Sequence, residues 1–202
     1  MLKIYHADVK KIDINAAGPL SDYRMERIRR LKNEKKVKES VGAELLLNHA
    51  AKLCFPGIAL PLNIICSRYG KPEIAGAEFY FSLSHSEWHA LCVISDGTVG
   101  ADIQYTAKFN DSLTRRFFTE DERDYILSQA DRDAAFTEIW CKKESFIKAA
   151  GTGLSTPLES FSVIGREDIL HTAVGDCHIA ICAPDGITEP AEITEVSLEQ
   201  IF

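Results

Sequence analysis

The chain has 202 residues, 46% of them apolar, with 30 acidic against 23 basic side chains and a formal net charge of −7. That length suits one large domain or two small, closely packed ones whose core needs no covalent staples. The acid excess argues against general nucleic-acid binding, which draws on surplus Lys and Arg, and no apolar run approaches membrane-spanning length.

In chain order, residues 2–7 alternate loosely and predict an opening strand. Pro19 opens a helical stretch to about residue 31. Val37, Val41 and Leu45 recur at helical spacing over residues 34–53, before Pro56, Gly57 and Pro61 break the pattern. Residues 63–67 predict a short strand, and Tyr69-Gly-Lys-Pro72 a turn. Strands are predicted over 79–84, 90–95 and 99–103, with Asp96-Gly97 signalling a hairpin between the last two. Thr119 and Glu122 form a capping-box pattern opening a helix to about residue 128. A longer helix is predicted from about 133 to 150, stopped by Gly151 and Gly153. Further strands are expected over 161–164, 177–182 and 193–197.

Strand, helices and strands thus occur twice, and His89-Ala-Leu-Cys-Val-Ile-Ser-Asp-Gly is echoed by His178-Ile-Ala-Ile-Cys-Ala-Pro-Asp-Gly. The echo predicts two similar α+β halves, residues 1–100 and 101–202, packed without slack around a cleft. Cys54, Cys66, Cys92, Cys141, Cys177 and Cys182 sit mostly in apolar runs without zinc-like spacing, which reads as reduced core thiols. With an N-terminus lacking a long apolar leader core, this predicts a cytoplasmic protein. Arg24, Arg27, Arg29, Arg30, Lys32, Lys35, Lys36 and Lys38 cluster against the acidic remainder. They form either a solvated helical face or a local anion site.

Two segments carry the chemistry. In Gly100-Ala-Asp-Ile-Gln104 a strand ends on one carboxylate, Asp102, after a glycine that permits close approach of a backbone or ligand. On a helix, Phe136, Ile139, Trp140, Ile147 and Ala150 share an apolar stripe with Lys143 at its centre, while Glu144 and Lys148 stand one turn apart at its border. A buried ammonium must reach a protein carboxylate or a ligand phosphate. Glu144 with Lys148 could be a plain surface ion pair. Two carboxylates sharing a metal, with a lysine beside it, would instead suit an anionic phosphate ester. Phe79 to Ser86 ends an apolar strand in Ser84-His85-Ser86, hydroxyls around an imidazole that fit either phosphate oxygens or a hydrogen-bonded turn. Nucleophile-elbow, Walker and dinucleotide patterns are all missing.

Read together, Tyr69-Gly-Lys-Pro72, Phe81-Ser-Leu-Ser-His-Ser86, Gly100-Ala-Asp-Ile103, Arg116-Phe-Phe-Thr119 and Trp140-x-x-Lys-Glu-x-x-x-Lys148 resemble the 4′-phosphopantetheinyl transferases of the surfactin-synthetase-activating (Sfp) type. Gly151-Thr-Gly-Leu154 and Pro157 to Val163 continue the likeness. The resemblance implies two pseudo-twofold-related α+β halves with coenzyme A between them. The implied reaction is Mg²⁺-dependent transfer of the phosphopantetheine arm to a serine of an apo acyl or peptidyl carrier protein. Adenosine 3′,5′-bisphosphate would be released. By the same likeness Asp102 and Glu144 would hold Mg²⁺, and Lys148 would contact the pyrophosphate. His85, Ser84 and Lys71 would lie along the nucleotide, with Arg24, Arg27 and Lys38 near its 3′-phosphate. Glu144 is the expected base. Many relatives carry a third acid where this chain has Gln104, whose amide brings no charge to the metal. A second reading is therefore a degenerate homologue that binds coenzyme A or carrier without turnover. The expected partner is acidic, with Arg115, Arg116 and Phe117 as a docking patch and one chain sufficient to build the cleft.

Overall fold

Period-two alternation decides how the first strands are used. Along strand β1 (Leu2–Asp8), Tyr5 and Ala7 join one apolar cluster while Ile4 joins another. The computed structural model describes residues 1–187 and 192–201; residues 188–191 and 202 of the expected C-terminal half lie outside them. After β1 come helices α1 (Asp22–Arg29) and α2 (Glu34–Cys54), then strands β2 (Ile64–Cys66), β3 (Pro72–Ile74), β4 (Tyr80–Ser86), β5 (His89–Ser95) and β6 (Gly100–Tyr105). Helices α3 (Asp111–Phe117), α4 (Glu120–Ser128) and α5 (Arg132–Ala150) follow, and the chain closes with β7 (Ile169–Val174), β8 (Cys177–Cys182), β9 (Ile193–Glu195) and α6 (Leu198–Ile201). The fold is mixed α+β.

One sheet runs β4-β5-β1-β9, antiparallel except where β9 lies parallel to β1. A second runs β6-β8-β7, all antiparallel. Each contains a strand, a long helix and a hairpin whose last strand is central: β1-α2-β4-β5 and β6-α5-β7-β8 share the order first, third, second. Helix α2 covers one face of the first sheet through Val41, Leu45 and Leu46 against Tyr5, Cys92 and Ile94. Helix α5 covers the second sheet through Phe136, Ile139 and Ala149 against Ala180 and Cys182. Ile4, Leu91 and Val93 meet Val99, Ile103, Ile179 and Ile181 in a third cluster between the sheets. Burial of these aliphatics contributes roughly 1.5–3 kcal/mol per side chain.

Several expectations change. Asp96-Gly97 closes no hairpin: β5 pairs with β1 and β4, while β6 pairs with β8, so this turn passes the chain between sheets. The hairpin is β4–β5, turned at Glu87 and Trp88 with φ of 46° and 73°. Neither residue is the Gly or Asn that such a turn favours, so its signal was missing. Instead Val9 N–H donates to Trp88 O (2.8 Å) and Trp88 N–H donates to Glu39 Oε1 (3.1 Å), holding the turn from outside. Residues 161–164 form no strand; the hairpin partner of β8 is β7, later in the chain. Pro72 begins β3 rather than ending a turn, and α3 was not anticipated. Helix α1 starts at Asp22 because Ser21 Oγ accepts from Arg24 N–H (3.1 Å). All six cysteines are free, but Cys66 is exposed and Cys54 half-buried, leaving four in the core. Among the described residues no helix is long and apolar enough to cross a membrane.

Candidate active site

Asp102 is carried to the site by the same alternation that builds the core. Ala101 and Ile103 enter the cluster between the sheets, so Asp102 takes the opposite face of β6, toward α5. Gly100 makes this approach possible: a Cβ there would stand 2.1 Å from both Ser145 O and Ala149 N of α5. The glycine serves another backbone rather than a ligand. Helix α5 is started by Asp131, whose side chain accepts from Ala134 N–H (3.0 Å), and stopped by Gly151 at φ 67°.

The serines of β4 join the two sheets. Ser82 Oγ accepts from Ala101 N–H (2.8 Å) and Ser86 Oγ from Tyr105 N–H (3.1 Å), supplying acceptors where β4 and β6 share no ladder. Between them Ser84 Oγ donates to Asp102 Oδ1 (2.6 Å) and accepts from Lys148 Nζ (2.9 Å). Lys148 Nζ also donates to Asp102 Oδ1 (2.6 Å), and Gln104 Nε2 to Oδ2 (3.0 Å). Asp102 is almost fully buried in this cradle.

A cleft of about 450 Å³, lined by residues of α1, α2, β4, β6 and α5, opens onto the cradle. Of the ten residues anticipated for the site, nine line it: Arg24, Arg27, Lys71, Ser84, His85, Asp102, Gln104, Glu144 and Lys148. Lys38 does not; its ammonium pairs with Glu34 one turn earlier (3.1 Å). Tyr23, Tyr69 and Gly153 also line the cleft without having been named as site residues; Tyr69 and Gly153 stand in blocks that carry the resemblance, whereas Tyr23, a lone aromatic on a helix, gives no site signal.

Partners differ from simple expectation. Lys148 pairs with Asp102, not with Glu144. Among the described residues the Glu144 carboxylate makes no hydrogen bond, and burial, then the nearby Asp102 charge, raises its pKa against the opposing pull of Lys148. Lys71 Nζ donates to Val99 O (3.1 Å) and Ala149 O (3.0 Å), tying the cleft wall to the end of α5 and leaving one proton without a partner among the described residues. Burial lowers its pKa. Arg24 is held in a buried network, with Nε on Glu44 Oε2 (3.0 Å) and Nη1 on Ser40 Oγ (2.8 Å), and it lines the cleft wall. Arg27 is exposed beside it, over the Tyr23 ring. His85 is pushed down to about 4, chiefly by burial.

Lys143 lies outside the cleft. Its Nζ donates to both Glu122 oxygens (2.7 and 2.6 Å) and to Phe161 O (2.6 Å), so its anion is a protein carboxylate. Glu122 also accepts from Thr119 N–H (2.9 Å), fulfilling the capping box, and from Val163 N–H (2.9 Å). The helix is turned slightly from expectation: Ala149 is buried and Ala150 exposed.

Comparison with known proteins gives the family. Residues 98–180, from the approach to β6 through most of β8, match the model of the 4′-phosphopantetheinyl transferase superfamily. The chain is 31% identical over 170 residues to a 4′-phosphopantetheinyl transferase of Bacillus subtilis, covering 83% of the chain and 72% of that relative. It is 35% identical over 156 residues to the 4′-phosphopantetheinyl transferase Sfp of Bacillus subtilis strain 168, covering 66% and 68%. It is also 29% identical over 147 residues to the 4′-phosphopantetheinyl transferase AcpT of Salmonella typhimurium, covering 66% and 73%. The chain belongs to the 4′-phosphopantetheinyl transferases of the Sfp type, a family of enzymes.

Proposed function

We propose that the chain moves the 4′-phosphopantetheine arm of coenzyme A onto a serine hydroxyl of an apo acyl or peptidyl carrier protein, with Mg²⁺, releasing adenosine 3′,5′-bisphosphate. The observation that carries this reading is one cleft whose wall holds two carboxylates, Asp102 and Glu144, with Lys148, Arg24 and Arg27. The family relation gives that cleft its substrate class.

The donor set suits a hard divalent cation. Asp102 and Glu144 offer carboxylate oxygens, and Glu144, with its pKa raised by burial and by Asp102, gains from a cation between them. The described residues gather no group of three or more His, Cys, Asp or Glu side chains as metal ligands, so water and substrate oxygens would complete the shell. Gln104 turns its NH₂ to Asp102 and in this orientation supports the carboxylate rather than adding a third acid. Bound there, Mg²⁺ would neutralise charge on the pyrophosphate.

The chain's own residues supply the rest. Lys148, anchored by Asp102 and Ser84, presents positive charge to the pyrophosphate. Arg24, Arg27 and His85 line the wall for the nucleotide phosphate, with Lys71 along the nucleotide. As the serine Oγ–P bond forms and the pyrophosphate P–O bond breaks, the hydroxyl proton passes to Glu144, directly or through water; the raised pKa is that of the metal-free carboxylate, and a bound cation would lower its basicity. The same reading takes residues 1–100 and 101–202 as halves related by a pseudo-twofold axis, supported by their shared strand order. A single chain supplies both walls, so it acts as a monomer, in the cytoplasm. Arg115, Arg116 and Phe117 of α3 are the proposed carrier contact. Intact-mass analysis of apo fatty-acid, polyketide and peptide carriers incubated with the protein, coenzyme A and Mg²⁺ tests the reading. At least one carrier should gain a phosphopantetheine; a panel without any gain refutes it.

A further inference from the structure

Beneath His85 lies a residue that the reading above does not use. Glu39 of α2 is fully buried. Its Oε1 accepts from Trp88 N–H (3.1 Å), and its Oε2 accepts from Lys36 Nζ (2.8 Å). Oε2 also stands 3.3 Å from His85 Nδ1, off the line of a hydrogen bond. Among the described residues, His85 Nδ1 and Asn48 Oδ1 are the two buried side-chain polar atoms without a hydrogen-bond partner. Such an atom costs free energy until it is satisfied. Facing a carboxylate, this nitrogen is satisfied as an N–H, and best when the ring is charged.

We propose that Glu39 is a positioning residue for His85, holding the imidazolium that forms when the phosphates of coenzyme A enter the cleft, so that binding draws a proton from solvent onto the ring. This rests on the functional reading given above. The groups facing the ring are mixed: Glu39 favours its charged form, while Lys36 of α2, Lys148 of α5 and Arg24 of α1 oppose it along with burial. An incoming polyphosphate offsets those three cations and adds negative charge on the open side of the ring. The charged ring then donates from Nδ1 to Glu39 and from Nε2 to the ligand. Glu39 also restrains the strand end that carries His85, because the Trp88 N–H it accepts belongs to the positive-φ turn two residues beyond Ser86.

Calorimetric titration of coenzyme A into the full chain, in two buffers of different ionisation enthalpy, measures protons taken up on binding. At neutral pH the wild type should show net uptake, and Glu39→Gln and His85→Gln should lose it. The Gln side chain can still accept from Trp88 N–H, so the turn keeps its anchor. In steady state Glu39→Gln should raise KM for coenzyme A about tenfold, the size of one lost charged hydrogen bond, with kcat near wild type. KM should also become independent of pH, and Glu39→Asp should recover part of the dependence. Binding without proton uptake in the wild type, or equal uptake in Glu39→Gln, overturns the proposal and leaves the functional reading standing. If Glu39→Gln does not fold, wild type against His85→Gln decides. Absence of any coenzyme A binding takes down the functional reading and this inference with it.

Discussion

Helix α5 carries two ionic clusters five residues apart, and they are built on opposite plans. At Lys143 the account closes: its ammonium meets both oxygens of Glu122 and a carbonyl, while Glu122 takes two further backbone donors. At Lys148 it stays open: Asp102 accepts from Ser84, Gln104 and Lys148 with room left on Oδ2, and Glu144 beside it has no hydrogen-bonding partner among the described residues. A saturated buried pair specifies structure. An under-compensated carboxylate facing a cleft is poised for something from outside the chain.

The sharpest way to break this comparison is to swap the effects. Asp102→Asn should lower phosphopantetheinyl transfer by about 100-fold or more, since the charge facing the reacting phosphate is lost and one acceptor oxygen becomes an NH₂ donor while the side-chain shape is kept. Carrier mass analysis over time measures it. Lys143→Met should cost about 3–5 kcal/mol in urea unfolding, because Glu122 is left charged and buried, with turnover per folded molecule retained. Equal stability losses for both variants would dissolve the distinction between the clusters.

Much of this contrast was legible in the sequence, and its limits have physical causes. The spacing of Glu144 and Lys148 placed both on one helical border, and Gly100 before Asp102 marked a close approach. Periodicity cannot name partners, however. Lys143 needed an anion, but Glu122 was visible only as a capping residue, and its second role depends on how α4 packs beside α5. Lys148 is drawn to Asp102 across the sheet rather than along its own helix. The basic cluster divided for the same reason: Arg24 and Arg27 reach the cleft, whereas Lys35, Lys36 and Lys38 pair with Glu87, Glu39 and Glu34. A carboxylate such as Glu39 within Val37 to Leu47 gave one signal, a charge inside an apolar helix, which went unread. The β4–β5 hairpin was hidden because tertiary contacts, not turn residues, hold it.

Smaller effects sharpen the picture. With the Glu144 pKa raised in the folded state, its ionised form costs stability at neutral pH, and the cost fades as pH falls through that folded value. Glu144→Gln should therefore raise Tm by about 1–3 °C without added metal, while abolishing transfer. Thermal denaturation of both proteins across pH checks the sign. His171, outside the cleft, is pushed from 6.5 down to about 4, burial being the main cause. The unfolded chain then binds the proton first, so stability falls as pH drops from 6.5 toward 4. His171→Gln should shrink that fall, read as a smaller loss of Tm on acidification.

The central claim is that Asp102 and Glu144 share one divalent ion beside a diphosphate. Titrating Mn²⁺ into the protein with coenzyme A present, and counting bound ions by electron paramagnetic resonance, tests it directly. One protein-dependent site should be found in the wild type and lost alike in Asp102→Asn and Glu144→Gln. Retention of that site in either variant would contradict the account.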